Sequence, residues 1–398
     1  MSPELVLCAA LDAQRARLPV SEAELASFLR RHGPALTRQL AEALPRPRWS
    51  GVEEAEIPAP PDARPDTAAL LPLGDYDRIL VGFSGGKDSV ACALWIADQL
   101  RAEGLDPAER LELWHHRVDG APDEPPLLDW PCTEGYCVAL AAELGLPLYQ
   151  SWREGGFLRE MGRDGTPTAP VTFETPSGRR TVGGSGPAGT RRLFPQVSGD
   201  LSVRWCSAYL KIMVGATAIT NDPRFAQDAR VLMVTGERRQ ESAGRARYAQ
   251  TEEHRASAPS KGRVVHHHRP ILGWTEGRVW GLLRRHGVVP HPCYWLGFGR
   301  ASCETCIFSQ ASEWATLHSL HPERVAQLSA LEAWTGKTIH RARSIPAQVA
   351  QGESFAPAGP WGEFWRRQAL VRFTAPTRVR PEGWTLPPGA FHKTSGPT

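Results

Sequence analysis

No stretch of this 398-residue chain approaches the length of an apolar membrane span, so a transmembrane protein is not expected. Glu4, Asp12 and Arg15 interrupt the N-terminus, which argues against a secretory leader and makes the cytoplasm the expected location. An excess of charge of one sign is also missing. The 46 Lys and Arg face 43 Asp and Glu, and a net charge of +3 does not by itself indicate a polyanion partner. No internal repeat is apparent, which sets solenoids aside. Cysteine is sparse: eight thiols in a long chain of a reducing compartment suggest no disulfide framework, and a C-x-x-C pair there points to a metal site instead. What is present, 41% hydrophobic and 22% charged residues, fits a globular protein with a sizeable core.

The chain is organised around Arg78 to Val90. Ile79 to Phe83 is a short apolar run that reads as a buried parallel strand. Ser84-Gly85-Gly86 breaks it, and Asp88 to Leu100 reads as a helix with Val90, Leu94, Ala97 and Leu100 on one face. A Gly-rich turn between a strand and a helix N-terminus is an anion site, because backbone N–H groups point outward and the glycines allow close approach. It is not a Walker A loop, which would need Gly at Val81 and Ser or Thr at Asp88.

Around this centre, residues 1–57 read as a helical appendage with a capping-box start at Ser21 to Glu24. Residues 58–75 read as a Pro-rich linker. Strand and helix then alternate: a strand at Arg110 to His116, a helix at Glu134 to Leu144, a strand at Leu148 to Trp152, a helix at Ala208 to Ile219, a strand at Arg230 to Thr235 and a helix at Thr275 to His286. That alternation predicts an α/β fold with a doubly wound parallel sheet, whose ligands lie at the carboxyl ends of its strands. Residues 162–200 lack periodicity and read as a long loop, either a solvated insert or a lid. Residues 311–398 read as helical to about Arg343, then rich in Pro and Trp. His266-His267-His268 lie on a strand and alternate in direction, so a shared metal is not expected of them; a phosphate or ribose contact is.

Ser84-Gly85-Gly86-Lys87-Asp88-Ser89 resembles the PP-loop of N-type ATP pyrophosphatases. Four further segments, in matching order, resemble the phosphoadenosine phosphosulfate reductase-like branch of that superfamily. They are Val118-Asp119-Gly120, Arg204-Trp205-Cys206 with Lys211, Gly236 to Ser242, and Arg269 to Thr275. The resemblance covers about 76–310 and implies an adenine nucleotide alpha-hydrolase-like, Rossmann-like fold with helical additions at both ends. It also implies ATP bound with Mg²⁺ and attack at the α-phosphorus. The cofactor-binding residues so implied are Ser84, Gly85, Gly86, Lys87, Asp88, Ser89, Asp119 and Gly236. Lys87 is a point charge suited to the β,γ-phosphates, Asp88 caps the helix or reaches Mg²⁺, and Arg238, Arg239 and Arg245 follow a strand end, where they would neutralise developing charge. Glu237 and Glu241 either orient those arginines or form surface ion pairs. One departure is the absence of Thr between Asp119 and Gly120, where the family often has one.

Cys293, Cys303 and Cys306, with Cys206 upstream, supply four thiolates, which suit either tetrahedral zinc or a [4Fe–4S] cluster. The resemblance favours the cluster, since the cysteine pattern is similar to that of the DNA phosphorothioation sulfurtransferase. The implied activity is an ATP-dependent adenylating sulfurtransferase, with sulfur from a cysteine desulfurase and an acceptor that is a nucleic acid backbone or a small molecule. Between Glu237 and Arg285, eleven Lys and Arg against five Glu give a local +6, which fits a polyanion or the nucleotide phosphates alone. The alternatives are a sulfonucleotide reductase, which lacks its thiol nucleophile unless Cys132 or Cys137 substitutes because no Cys follows Cys306, and a non-catalytic nucleotide-binding subunit.

Overall fold

The computed structural model describes residues 56–371 and 373–392. The expected helices before residue 56, and Cys8, lie outside them.

Eight strands form one sheet: β1 Arg78–Gly82, β2 Leu111–Arg117, β3 Leu148–Arg153, β4 Val171–Thr175, β5 Gly178–Val182, β6 Arg230–Val234, β7 Thr251–Glu253 and β8 Val264–His268. Their order is β5-β4-β3-β2-β1-β6-β8-β7. The central five, β3 through β8 in that order, pair in parallel, while β4, β5 and β7 add antiparallel edges. Chain order runs outward from β1 in both directions, so the switch point lies between β1 and β6.

Alternation along β1 divides the core. Ile79 and Val81 pack into the larger cluster with helix α1, Lys87–Ala102, through Val90, Leu94, Ala97 and Leu100. Leu80 points the other way, into a second cluster with Val231, Met233 and the helix Met213–Asn221 through Val214, Ala218 and Ile219. Both faces of the sheet are therefore covered, as the expected doubly wound architecture requires.

Two parts of the chain differ from expectation. Residues 162–200 contain the β4–β5 hairpin, with Val171↔Val182 and Phe173↔Arg180 in register. Val171, Thr172 and Phe173 are buried because this hairpin extends the sheet from β3. The Pro-rich stretch is held against the domain by Ile57 N donating to Gly273 O (2.6 Å), Arg64 N to Arg247 O (2.8 Å) and Thr67 N to Thr251 O (3.2 Å). At the other end, the C-terminal helices share the larger core. Trp365 on Gly359–Leu370 stacks on Trp295 with ring centroids 4.8 Å apart. Among the described residues, no helix is long and apolar enough to cross a membrane.

Candidate active site

The loop after β1 turns at Gly85, whose φ of +73° favours glycine, and enters α1 at Lys87. Its amides already have hydroxyl partners: Ser84 N donates to Ser89 Oγ (3.2 Å), Gly86 N to Ser84 Oγ (3.4 Å) and Lys87 N to Tyr294 OH (3.1 Å). Two of those hydroxyls belong to the loop itself and can turn toward an incoming anion. Ser84, Gly86, Asp88, Ser89 and Gly236 all line one cavity of ≈ 900 Å³ at the carboxyl ends of β1 and β6.

Lys87 contributes to that wall, but its side chain is 4% exposed and its ammonium is engaged elsewhere. It donates to Gly299 O (3.3 Å), lies 3.7 Å from Glu276 and sits over the rings of Trp280 and Tyr294. The expected contact with β,γ-phosphates is not prepared in this structure. Two of the three expected arginines are also tied down. Arg238, 3% exposed, donates through Nε to Asp88 (2.5 Å), and Arg239 donates to the carbonyls of Ala246 and Tyr248. Arg245 does line the cavity, paired with Glu241. Burial pulls the Arg245 guanidinium down, but Glu241 and Glu237 outweigh it and hold it above its ordinary value.

Asp88 therefore acts as a tie between loop and strand. Asp119 is likewise structural, accepting from Leu128 N (2.8 Å) and Asp129 N (2.9 Å). Gly85 packs against Tyr136 and Cys137, where an added Cβ would lie 3.0 Å from each.

The ends of β6 and β8 meet in a polar network. Thr235 Oγ1 donates to Glu237 and lies 2.6 Å from His267 Nε2; His267 Nδ1 is 3.3 Å from Glu252, which accepts from Arg269 Nη2 (2.6 Å). Burial pushes the Glu237 carboxyl up, but His267, Arg269 and Arg245 together hold it below the usual range. Of the three consecutive histidines, His267 faces the cavity, His266 lies 2.8 Å from the Tyr76 hydroxyl and His268 lies 2.9 Å from Thr251. His267 thus stands on the cavity wall, while no local pattern announced Tyr248 or Tyr294 there, because distant strands and turns bring them together.

The thiols divide into two groups. Cys206, Cys303 and Cys306 are half-buried and line the cavity, with Lys211 beside them on the π-helical stretch Ala208–Ile212. π-Helical turns of this kind recur at functional sites. Cys303 is the main group raising the Lys211 ammonium above its ordinary value, against the effect of burial. Cys293 is fully buried on the short helix Pro292–Trp295, and its thiol faces Arg300 O at 3.7 Å. Cys132 is buried 3.4 Å from His291 Nε2. The expected set of four thiolates is not gathered, because helix packing turns Cys293 into the core. Among the described residues, no group of three or more His, Cys, Asp or Glu side chains is placed to hold a metal ion. Neither zinc nor a [4Fe–4S] cluster fits these four thiols as arranged.

Residues 191–308 match the phosphoadenosine phosphosulfate reductase domain. That stretch contains Cys206, Lys211, Gly236 to Ser242, Arg269 and the Cys303–Cys306 pair, whereas the loop at 84–89 precedes it. An uncharacterized 37.8 kDa protein of Escherichia phage 186 is 35% identical over 114 residues, 29% of this chain and 33% of that protein. The alignment thus spans about a third of that relative's length. Two solved structures of Candida glabrata FMN adenylyltransferase are similar at 12% identity. The complex with FAD and inorganic pyrophosphate has a TM-score of 0.33, covering 58% of this chain and 56% of that one. The complex with FMN and the ATP analogue AMPCPP has a TM-score of 0.31, covering 56% and 52%.

Proposed function

We propose that this protein is an ATP-utilising enzyme of the phosphoadenosine phosphosulfate reductase-like class, which adenylates an acceptor and then delivers sulfur to it. The observation that carries the reading is one cavity shared by the glycine loop at the β1/β6 switch point and by three thiols. Ligands of open α/β sheets bind at that crevice. The loop hydroxyls of Ser84 and Ser89, with the N-terminus of α1, offer donors for a β,γ-pyrophosphate. That placement would leave the α-phosphorus facing Arg245 and the Glu237–His267 network, and pyrophosphate as the leaving group. Mg²⁺ would be carried by the nucleotide, since Asp88 is committed to Arg238.

In this scheme the acceptor oxygen attacks the α-phosphorus, pyrophosphate leaves, and a sulfur nucleophile then displaces AMP. A persulfide formed on one of Cys206, Cys303 and Cys306 by a donor such as a cysteine desulfurase would attack through its outer sulfur. A second of these thiols would then break the S–S bond, releasing the thiolated acceptor and leaving a disulfide for an external dithiol to reduce. A nucleic acid backbone is one acceptor consistent with the local +6 charge. The reading is tested by following the products of ATP turnover. AMP and pyrophosphate, formed only with Mg²⁺ and an acceptor, are expected. ADP and phosphate would refute attack at the α-phosphorus. Sulfite formed from phosphoadenosine phosphosulfate and a dithiol would favour the reductase instead.

A further inference from the structure

A buried cation in the cavity wall lacks acceptors at two of its three nitrogens. Arg204 is 9% exposed and lines the cavity with Arg245, Tyr248, Cys206 and Cys306. Its Nε and Nη1 are shut off from solvent, and neither has a hydrogen-bond partner among the described residues. A buried guanidinium without acceptors is strongly unfavourable, and native proteins rarely leave one so. The guanidinium lies 5.9 Å from the centre of the Phe308 ring. Burial pulls the Arg204 guanidinium below its ordinary value, and Arg245 nearby acts in the same direction. Arg245, by contrast, already has Glu241.

We propose that Arg204 anchors a second anion subsite at the thiol end of the cavity, apart from the glycine loop. Its chemistry is that of a tetrahedral oxyanion, a phosphate or sulfate group, because each unmet nitrogen shares a guanidinium edge with Nη2, and either edge matches two oxygens of such a group. The oxyanion is borne by the acceptor, which the subsite would hold beside Cys206 and Cys306 while the loop holds the nucleotide. Assigning it to the acceptor rests on the adenylating reading above; the subsite itself does not.

The test is a sulfate titration of the full chain by calorimetry at constant ionic strength, with Mg²⁺-AMPCPP titrated separately. Arg204→Met is expected to weaken sulfate binding at least tenfold and to leave AMPCPP affinity within twofold, which also reports that the variant is folded. Arg204→Lys, which keeps charge without the fork, is expected to fall between. Crystals soaked in selenate should show its anomalous signal at the Arg204 guanidinium. Sulfate affinity unchanged in Arg204→Met, or selenate at the glycine loop alone, would overturn the subsite. If sulfate and AMPCPP exclude each other and Arg204→Met weakens both, the oxyanion belongs to the nucleotide and the assignment to the acceptor falls. Loss of sulfate in Arg204→Met from a protein that never binds AMPCPP would instead sink the ATP reading and leave the subsite standing.

Discussion

Replacing Arg238 by Met separates a structural role from a catalytic one beneath the glycine loop. The guanidinium is 3% exposed, donates through Nε to Asp88 at 2.5 Å and through Nη1 to Gln240 at 2.9 Å. Removing one partner of a buried ion pair costs about 3–5 kcal/mol, because the other charge stays buried. Asp88 would keep Lys87 at 3.5 Å, so the loss is expected at the lower end, about 3 kcal/mol. Urea unfolding followed by tryptophan fluorescence measures it. In a double-mutant cycle with Asp88→Asn, a coupling of about 2 kcal/mol is expected for two groups in direct contact.

The same pair sets a pH dependence. Burial pushes the Asp88 carboxyl up, but Arg238 and Lys87 outweigh burial and hold it below its ordinary value. A depressed folded pKa stabilises fully above the unfolded value of about 3.9 and is lost as pH falls through the folded one. The difference between wild type and Arg238→Met should therefore be constant near neutrality and shrink below about pH 4. A cost under about 1 kcal/mol, together with abolished ATP turnover, would refute the argument and return Arg238 to the phosphates.

Ser84→Glu places a negative charge at an exposed position on the loop rim. Like charges a few ångströms apart cost on the order of 1–4 kcal/mol, so AMPCPP affinity should fall at least about tenfold with little change in urea midpoint; equal affinity by calorimetry would remove the loop from nucleotide binding. Burial, then Cys306, pushes the Cys206 thiol up to about 11. Since only the thiolate reacts, its maleimide labelling in chelator-treated protein should rise by about tenfold per pH unit from neutrality and level off only near that value. A plateau by pH ~9, the free-thiol range, would contradict the burial. Gly156 has φ +48°, and a Cβ there would lie 2.1 Å from the carbonyl carbon of Asp119. Gly156→Ala should cost more than about 2 kcal/mol, read as a lowered thermal midpoint by circular dichroism.

The β1–loop–α1 unit was legible because its signals are local: an apolar run, a glycine break and a 3.6-residue stripe, all within Arg78 to Leu100. The parallel order of β2, β3 and β6 followed from alternation of strand and helix patterns. The β4–β5 hairpin was missed because five-residue strands flanked by Gly, Pro and Arg carry no periodicity of their own. They become strands by pairing with β3. The β,γ-phosphate role expected of Lys87 was read from residue type and place in the motif, which name a charge without showing where it points.

That last gap is where tertiary structure decides chemistry. Lys87, Arg238 and Arg239 are all cations near a phosphate loop, yet each is matched here by a carboxylate or carbonyl supplied from elsewhere in the fold: Glu276 and Gly299 for Lys87, Asp88 for Arg238, Ala246 and Tyr248 for Arg239. A cation whose charge is already met at short range gains less from an incoming phosphate, because the new contact must displace the old one. Arg204 is the opposite case. The sequence placed it in the Arg204-Trp205-Cys206 segment of the family resemblance but gave it no role of its own. Its unmet Nε and Nη1 make it a better candidate for an anion than the arginines the motif named. Residues equal in formal charge are thus ranked by what already surrounds them, and that ranking requires the folded chain.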